Sequence, residues 1–147
     1  MVIKDTHYVS IHYNLNTEVL MIKWKISPTN RQFKHSYLDI LEFVDNVYNA
    51  TSFCTDLTTI GALSREQEAW LVLDYYPIAQ QVINSSANVA VVFSEEHFKA
   101  IVTNFQQPAY LSKQDFIHFN YFTDPQEAIH WLIDIKKGQE TFSIMSS

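Results

Sequence analysis

Cysteine, glycine and proline are scarce in this chain of 147 residues, which has 1 Cys, 2 Gly and 4 Pro. So few glycines exclude a Gly-rich loop that cradles a phosphate, and so few Gly and Pro exclude a collagen-like repeat and a flexible linker. The single Cys54 cannot form an internal disulfide. A reducing, cytoplasmic location is therefore the expectation.

Basic residues are also few, since 10 Lys and Arg stand against 16 Asp and Glu and give a net charge of −6 with neutral His. Duplex-binding proteins need clustered cations to displace counterions, and this chain has no basic run beyond Lys136-Lys137. Nucleic acid and an anionic membrane surface are not expected partners. No apolar stretch approaches the roughly 18 residues of a membrane span, and the N-terminus lacks the charged and apolar segments of a leader.

Apolar residues, by contrast, are plentiful at 47%, and aromatic residues make up 14%. This composition is typical of one folded domain with one hydrophobic core. We expect that domain at residues 1–138 because Gly138 is well placed to end the last helix. Residues 139–147 are then expected to form a C-terminal tail.

The spacing of apolar residues predicts an α/β fold. Alternation over Thr6–Tyr13 and a β-rich run at Val19–Trp24 flank the turn residues Asn14-Leu15-Asn16, which indicates an antiparallel hairpin. Helical and strand patterns then alternate, from a helical stripe that starts at Phe33 to a helix that starts at Asp124. The predicted order is β-β-α-β-α-β-α-β-α, with a mostly parallel five-stranded sheet.

The second helix has a clear start and an interruption. Ser64-Arg65-Glu66-Gln67 has the S-x-x-Q form of a capping box. Pro77 lies inside the helical pattern and predicts a kink, or two helices that meet near Tyr76. A regular helical period gives this helix one inward face, formed by Ala69, Val72, Leu73, Tyr76, Ala79 and Ile83.

Several short motifs, taken with this order of elements, match one known family. They are Met21-Ile22-Lys23-Trp24, Thr55-Asp56-Leu57, Glu66-Gln67-Glu68-Ala69-Trp70 with Tyr75-Tyr76-Pro77, Ala90-Val91-Val92-Phe93-Ser94, and Tyr121-Phe122 with Glu127-Ala128-Ile129-His130-Trp131-Leu132. The chain resembles the STAS-type domains, in particular their SpoIIAA-like branch of small, mostly uncharacterised bacterial proteins. The resemblance spans nearly the whole chain.

The resemblance implies a non-enzymatic protein. Some STAS-type domains antagonise anti-sigma factors and are switched by phosphorylation of a Ser or Thr in the loop that enters the second helix. Others look like carriers or sensors of small apolar ligands. The corresponding run here, from Asp56 to Ser64, lacks the acid-Ser-Gly triplet of the switch. Ser64 lies near the switch position, but its capping box accounts for it without regulation.

Polar residues follow the predicted parallel strands, where ligands of open α/β sheets bind. Ser94 and Asp124 are explained as helix caps, whereas Thr58 and Thr59 have no capping role. Aromatic side chains next to Pro77 form either an exposed patch, at a partner surface or pocket mouth, or part of an aromatic core. The candidate binding residues are Asp56, Thr58, Thr59, Ser64, Trp70, Tyr75 and Tyr76, and the candidate phosphate acceptors among them are Thr58, Thr59 and Ser64.

Catalytic and metal sites are not expected. Cys54 and Asp56 share a face of a strand and raise the hypothesis of a thiol nucleophile, but a buried, inert Cys is favoured. The six His residues lack metal-ligand spacing. No cofactor is predicted.

Two functions therefore stay open from the sequence. The first is a regulatory protein-interaction module that docks through the loop from Asp56 to Ser64 and the outer side of the second helix, alone or as a homodimer. The alternative is a binding or carrier protein that holds an apolar, lipid-like small molecule between the kinked second helix and the sheet. An enzyme that uses Cys54 or a histidine ranks last.

Overall fold

The computed structural model describes residues 1–104, 108, 110 and 114–146, and at residue 104 and residues 140–146 it describes the backbone only. Within this part of the chain, six strands form one sheet in the order β1-β2-β3-β4-β5-β6. The strands are β1 Val2–Asp5, β2 Val9–Asn14, β3 Val19–Trp24, β4 Ser52–Asp56, β5 Ala87–Val92 and β6 Ile117–Phe122. The first three are antiparallel, and β3, β4, β5 and β6 run parallel.

Helices connect the parallel strands and follow the last one. They are α1 Asn30–Asn46, α2 Arg65–Trp70, a π-helical segment Leu71–Tyr75, α3 Tyr76–Ile83, α4 Glu95–Asn104 and α5 Pro125–Ser146. Because each crossover steps to the next strand in the same direction, right-handed connections place their helices on one face of the sheet. Helix α5 returns to the opposite face, so β5 is covered on both sides, in agreement with its apolar residues Val89–Val92.

The two faces of the sheet differ in size. The larger core lies under α1, the π-helical segment and α3, and its most buried members include Ile11, Leu20, Trp24, Phe33 and Leu71. The smaller core lies under α5, where Ala128 and Leu132 contact Cys54, Ala90 and Val92. Any space inside the larger core therefore lies between the crossover helices and the sheet.

The predicted α/β class and the hairpin are confirmed, but the sheet has six strands and not five. The prediction missed β1, an edge strand whose residues show no buried face because Val2 and Asp5 are both exposed. A turn separates β1 from β2, in which the Thr6 hydroxyl accepts hydrogen bonds from the backbone N–H groups of Tyr8 and Val9 at 3.2 and 3.0 Å. The alternating pattern that predicts a strand over Thr6–Tyr13 includes this turn, so the sequence gives no sign of it.

Helix α5 extends beyond the residue predicted to end it. Gly138 lies inside the helix, which continues to Ser146. A glycine ends a helix when it adopts the left-handed conformation, and among the described glycines the one with positive φ is Gly61, at 73°. In the helical conformation Gly138 weakens the helix without stopping it, so the predicted helix end is wrong.

Candidate functional site

A cavity of about 70 Å³ lies between the helices and the larger face of the sheet. Its floor comes from neighbouring strands, with Ile22, Phe53 and Val91 among the residues that line it. Its roof includes Tyr75 from the π-helical segment and Ala79 from α3. This is the place at which the sequence predicted a gap, between the irregular second helix and the sheet.

Four buried tyrosines surround this cavity, which gives an otherwise apolar space several hydroxyl groups. They are Tyr37, Tyr75, Tyr76 and Tyr110. The rings of Tyr37 and Tyr75 meet edge to face with 4.8 Å between centroids, and those of Tyr75 and Tyr76 with 6.1 Å. Burial raises the pKa of each hydroxyl above its ordinary value. All four therefore stay protonated at neutral pH.

The π-helical segment explains how two consecutive tyrosines both face the core. In a regular α-helix, adjacent residues point about 100° apart, so the helical period predicts that Tyr76 faces inward and Tyr75 lies off the centre of the buried face. The wider π-helical turn contains one extra residue, which changes the direction in which the residues before it point relative to those after it. Both Tyr75 and Tyr76 are buried, whereas Leu73, predicted to face inward, is 72% exposed.

The lining of the cavity carries no formal charge. It consists of aliphatic and aromatic side chains with the hydroxyls of tyrosine and of Thr55, and among the described residues it includes no Asp, Glu, Lys, Arg or His. An anion in this space would lose its hydration without gaining a cation. The geometry therefore fits a neutral occupant.

The predicted site residues divide into two groups. Tyr75 and Tyr76 line the cavity, but Asp56, Thr58, Thr59, Ser64 and Trp70 are not among its lining residues. For Tyr75 and Tyr76 the structure has the aromatic core and not the exposed patch, because both are buried. Trp70 is half-buried, and its ring contacts that of Phe33 with 6.0 Å between centroids.

Three polar members of the candidate set, Asp56, Thr58 and Ser64, have local hydrogen-bond partners. Asp56 Oδ1 accepts hydrogen bonds from the backbone N–H and the hydroxyl of Thr58 at 2.9 and 2.6 Å. Ser64 Oγ accepts from the backbone N–H of Gln67 at 3.1 Å, and Gln67 Oε1 accepts in return from the Ser64 N–H at 3.0 Å. This confirms the predicted capping box. Thr59 is exposed.

The other polar residues at this edge of the sheet serve as helix caps, as predicted. Ser94 Oγ accepts from the His97 N–H at 3.1 Å, and Asp124 Oδ1 accepts from the Gln126 N–H at 3.0 Å. Both helix starts are therefore satisfied by the side chain that precedes them. At the carboxyl ends of the parallel strands, Ser94 and Asp124 therefore already serve as helix caps.

Cys54 lies away from the cavity, in the smaller core beneath α5. It is fully buried, and burial, with a contribution from Asp56, raises the pKa of its thiol to about 12. Since the thiolate is the nucleophile, this environment keeps Cys54 unreactive. Among the residues that the structure describes, no group of three or more His, Cys, Asp and Glu side chains is arranged to hold a metal ion.

Sequence reasoning missed two of the four cavity tyrosines as site residues. Tyr37 belongs to the helical stripe that begins at Phe33, and a stripe residue is indistinguishable in sequence from ordinary core. Tyr110 stands in a segment without helical or strand periodicity, so no pattern predicts its burial. Its place is set by a long-range contact, in which the Tyr76 hydroxyl donates a 2.8 Å hydrogen bond to the Tyr110 carbonyl.

No family model matches the sequence, and no curated protein matches it. Among solved structures, the chain is similar to the crystal structure of an uncharacterised protein from the DUF3478 family with a SpoIIAA-like fold, from Shewanella loihica PV-4. The match has a TM-score of 0.54 at 17% sequence identity and covers 88% of this chain and 97% of the other. The chain has a SpoIIAA-like fold.

This SpoIIAA-like fold agrees with the predicted resemblance, and at this level of identity the comparison concerns the fold alone. The cavity, its tyrosines and the π-helical segment are features of this chain itself. Within the described residues, no helix combines the length and the apolar character needed to cross a membrane.

Proposed function

We propose that this SpoIIAA-like protein binds a small, largely apolar molecule in the cavity beneath the π-helical segment. The observation that carries the proposal is the cavity itself, since protein interiors are close-packed and have few voids larger than a water molecule. Its lining of aliphatic and aromatic side chains with a few hydroxyls is typical of sites for small molecules.

The size of the cavity narrows the class of ligand. An engineered cavity of about 150 Å³ admits benzene or xenon, and the cavity here, at about 70 Å³, has half that volume. A complete lipid chain exceeds this space, whereas a xenon atom or a molecule of a few heavy atoms suits it. Larger molecules would require the roof of the cavity to move, and the π-helical segment is the irregular part of that roof.

Binding without catalysis is the interpretation that the lining favours. A general base has to be able to take a proton near neutral pH, and tyrosine hydroxyls with raised pKa do not. The one thiol lies in the other core, on the far side of the sheet. We therefore assign the site a carrier or sensor role.

Xenon titration followed by amide NMR tests this proposal, because xenon reports on apolar space without any need to know the natural ligand. We expect saturable shifts at cavity residues such as Val91 and Phe119. Ala79→Leu adds three carbon atoms to the buried roof and should abolish those shifts. The matched control is Ala69→Leu on the exposed side of α2, which should leave them unchanged.

Native mass spectrometry of the purified protein complements the titration. A co-purifying small molecule that is present in wild type and in Ala69→Leu but absent in Ala79→Leu would support the proposal. Xenon shifts that persist in Ala79→Leu, or that do not saturate in wild type, would contradict it.

A protein-interaction module is the second candidate, and exposed apolar side chains on the outer side of the second helical region favour it. Leu73 is 72% exposed and Ile78 is 46% exposed. With a second copy of the chain as the partner, sedimentation should show a concentration-dependent dimer that Leu73→Lys disrupts. Val102→Lys, at an exposed apolar position on α4, is the control and should leave the dimer intact. A monomer at all concentrations would exclude self-association.

A further inference from the structure

The hydroxyl of Tyr110 is a buried polar group without a hydrogen-bond partner in the described part of the chain. Three other buried side-chain atoms share this condition there, namely Trp24 Nε1, Asn88 Oδ1 and His97 Nδ1. Of these four residues, Tyr110 is the one that lines the cavity. It is 95% buried, since its exposed fraction is 5%.

The backbone of Tyr110 is held in place independently of its hydroxyl. Its carbonyl accepts the hydrogen bond from Tyr76 on α3, and both residues are buried. The backbone of Tyr110 is thus anchored beside the cavity by a contact that does not use the Tyr110 hydroxyl. An unsatisfied buried polar group is costly and calls for an explanation. Beside a cavity, a bound molecule that accepts the hydrogen bond is such an explanation.

The Tyr110 hydroxyl and the side chains that line the cavity determine which chemical group can be the missing partner. The Tyr110 hydroxyl keeps its proton because burial raises its pKa, so it presents an O–H donor. A tyrosine hydroxyl can also accept a hydrogen bond, but its O–H is satisfied only by an acceptor on the ligand. A carbonyl or ether oxygen is such an acceptor and brings no donor of its own into the largely apolar lining. A carboxylate would also accept the bond, but no cation among the described lining residues would offset the loss of its hydration.

We propose that the ligand is a neutral molecule with a small apolar body and one oxygen acceptor, a ketone, aldehyde or ether, that takes the hydrogen bond of Tyr110. This inference rests on the proposed function, because it names the ligand class of the same cavity. Apolar side chains hold the body of the ligand, and Tyr110 selects its polar group.

Three probes of five heavy atoms each distinguish binding by the apolar cavity from selection of an oxygen acceptor by Tyr110. They are 2-butanone, its alkene isostere 2-methyl-1-butene and the anion propanoate, each titrated by amide NMR. The affinities of 2-butanone and the alkene for wild type and for Tyr110→Phe form a thermodynamic cycle. Because each probe is compared with itself in the two proteins, its hydration free energy cancels. We expect the variant to weaken 2-butanone about tenfold, the effect of one hydrogen bond. The alkene should bind the variant at least as well, and propanoate should bind neither protein.

Tyr48→Phe is the control because it removes a tyrosine hydroxyl that lies outside the cavity. It should change the affinity for 2-butanone less than twofold. Equal weakening by Tyr48→Phe, or an unchanged affinity in Tyr110→Phe, would overturn the role of Tyr110. Binding of xenon and of the alkene would still support the apolar site. If xenon and alkene both fail to bind, the proposed function itself fails.

Folding of the variant is a further check. Removal of a hydroxyl that has no hydrogen-bond partner among the described residues should leave the unliganded protein at least as stable as wild type. A Tyr110→Phe protein that unfolds would show that the hydroxyl has a structural partner, and this too would overturn the inference.

Discussion

The hydroxyl of Tyr76 donates a 2.8 Å hydrogen bond to the backbone carbonyl of Tyr110, 34 residues further along the chain. Both residues are buried, so the bond forms away from water. It ties Tyr110 to α3 beside the cavity that both residues line. The position of Tyr110 therefore depends in part on the side chain of Tyr76.

Tyr76→Phe is expected to destabilise the protein. The substitution keeps the ring but leaves the Tyr110 carbonyl without its donor, which should lower the free energy of unfolding by about 1–3 kcal/mol. Urea unfolding followed by circular dichroism measures this loss. Tyr48→Phe, at an exposed tyrosine, is the control and should stay within about 0.5 kcal/mol of wild type. Equal stability of the two variants would show that the bond is not important to the fold.

Ser64→Ala should cost about 1 kcal/mol of stability, whereas Ser64→Asp should be tolerated, because Asp is also a good N-cap. The reason is the reciprocal bonding of Ser64 and Gln67 at the start of α2. Thermal unfolding of both variants is the measurement, with Thr59→Ala at an exposed position as the control. If Ser64→Ala is neutral and Ser64→Asp changes a binding activity, the residue acts as a switch and not as a cap.

The parts of this fold that sequence predicts well are those determined by local contacts. Helix caps such as Ser64, Ser94 and Asp124 are recognised because a side chain bonds to a backbone group a few residues away. The strand β5 is recognised because its residues Val89–Val92 are all apolar, which is typical of a strand covered on both faces. In the cavity, by contrast, Tyr110 is positioned by a residue 34 positions away, and no local pattern carries that information.

In the second helix, one extra residue makes the buried face predicted from a regular helical period wrong over part of its length. Its buried positions are Gln67, Leu71, Tyr75, Tyr76, Ala79 and Ile83. The inward face predicted with a regular period agrees from Tyr76 onward but fails before it, where Ala69 and Leu73 are exposed. The change of phase occurs at the π-helical segment, so the predicted irregularity is present, although Pro77 itself lies in the first turn of α3.

Stability is expected to fall in alkaline solution. Cys54 ionises at a pKa of 9.0 when unperturbed and about 12 in the folded protein, and the buried tyrosines, ordinarily at 10.0, are also raised. Between these values the unfolded chain has released protons that the folded chain still binds, so unfolding becomes more favourable as the pH rises. The full stability is present below pH 9, the unperturbed value for the thiol.

The expected slope is up to about 1.4 kcal/mol per pH unit for each such group. Urea unfolding at a series of alkaline pH values measures this slope. In Cys54→Ala, the loss of stability should begin near the pKa of a free tyrosine and not near that of a free thiol. A free energy of unfolding that stays constant through this range would contradict the assigned burial of these groups.

Deletion of Leu73 should convert the irregular second helix into a continuous α-helix. At about 100° per residue, the six buried positions of this helix spread over an arc of about 180°. With one residue removed between Leu71 and Tyr75, the same six side chains fall within about 100°, which is one ordinary helical face. The deletion therefore keeps the buried set together and removes an exposed side chain.

We expect this deletion variant to fold with a free energy of unfolding no lower than that of wild type, and to lose the saturable xenon shifts. The loss should follow because the roof over the cavity is rebuilt as a narrower helix. Leu73→Ala changes the same exposed residue without changing the phase, so it should keep both stability, within about 0.5 kcal/mol, and xenon binding. A deletion variant that still binds xenon would show that the cavity does not depend on the π-helical segment. A variant that unfolds would show that the extra residue is needed for the fold and not for the site alone.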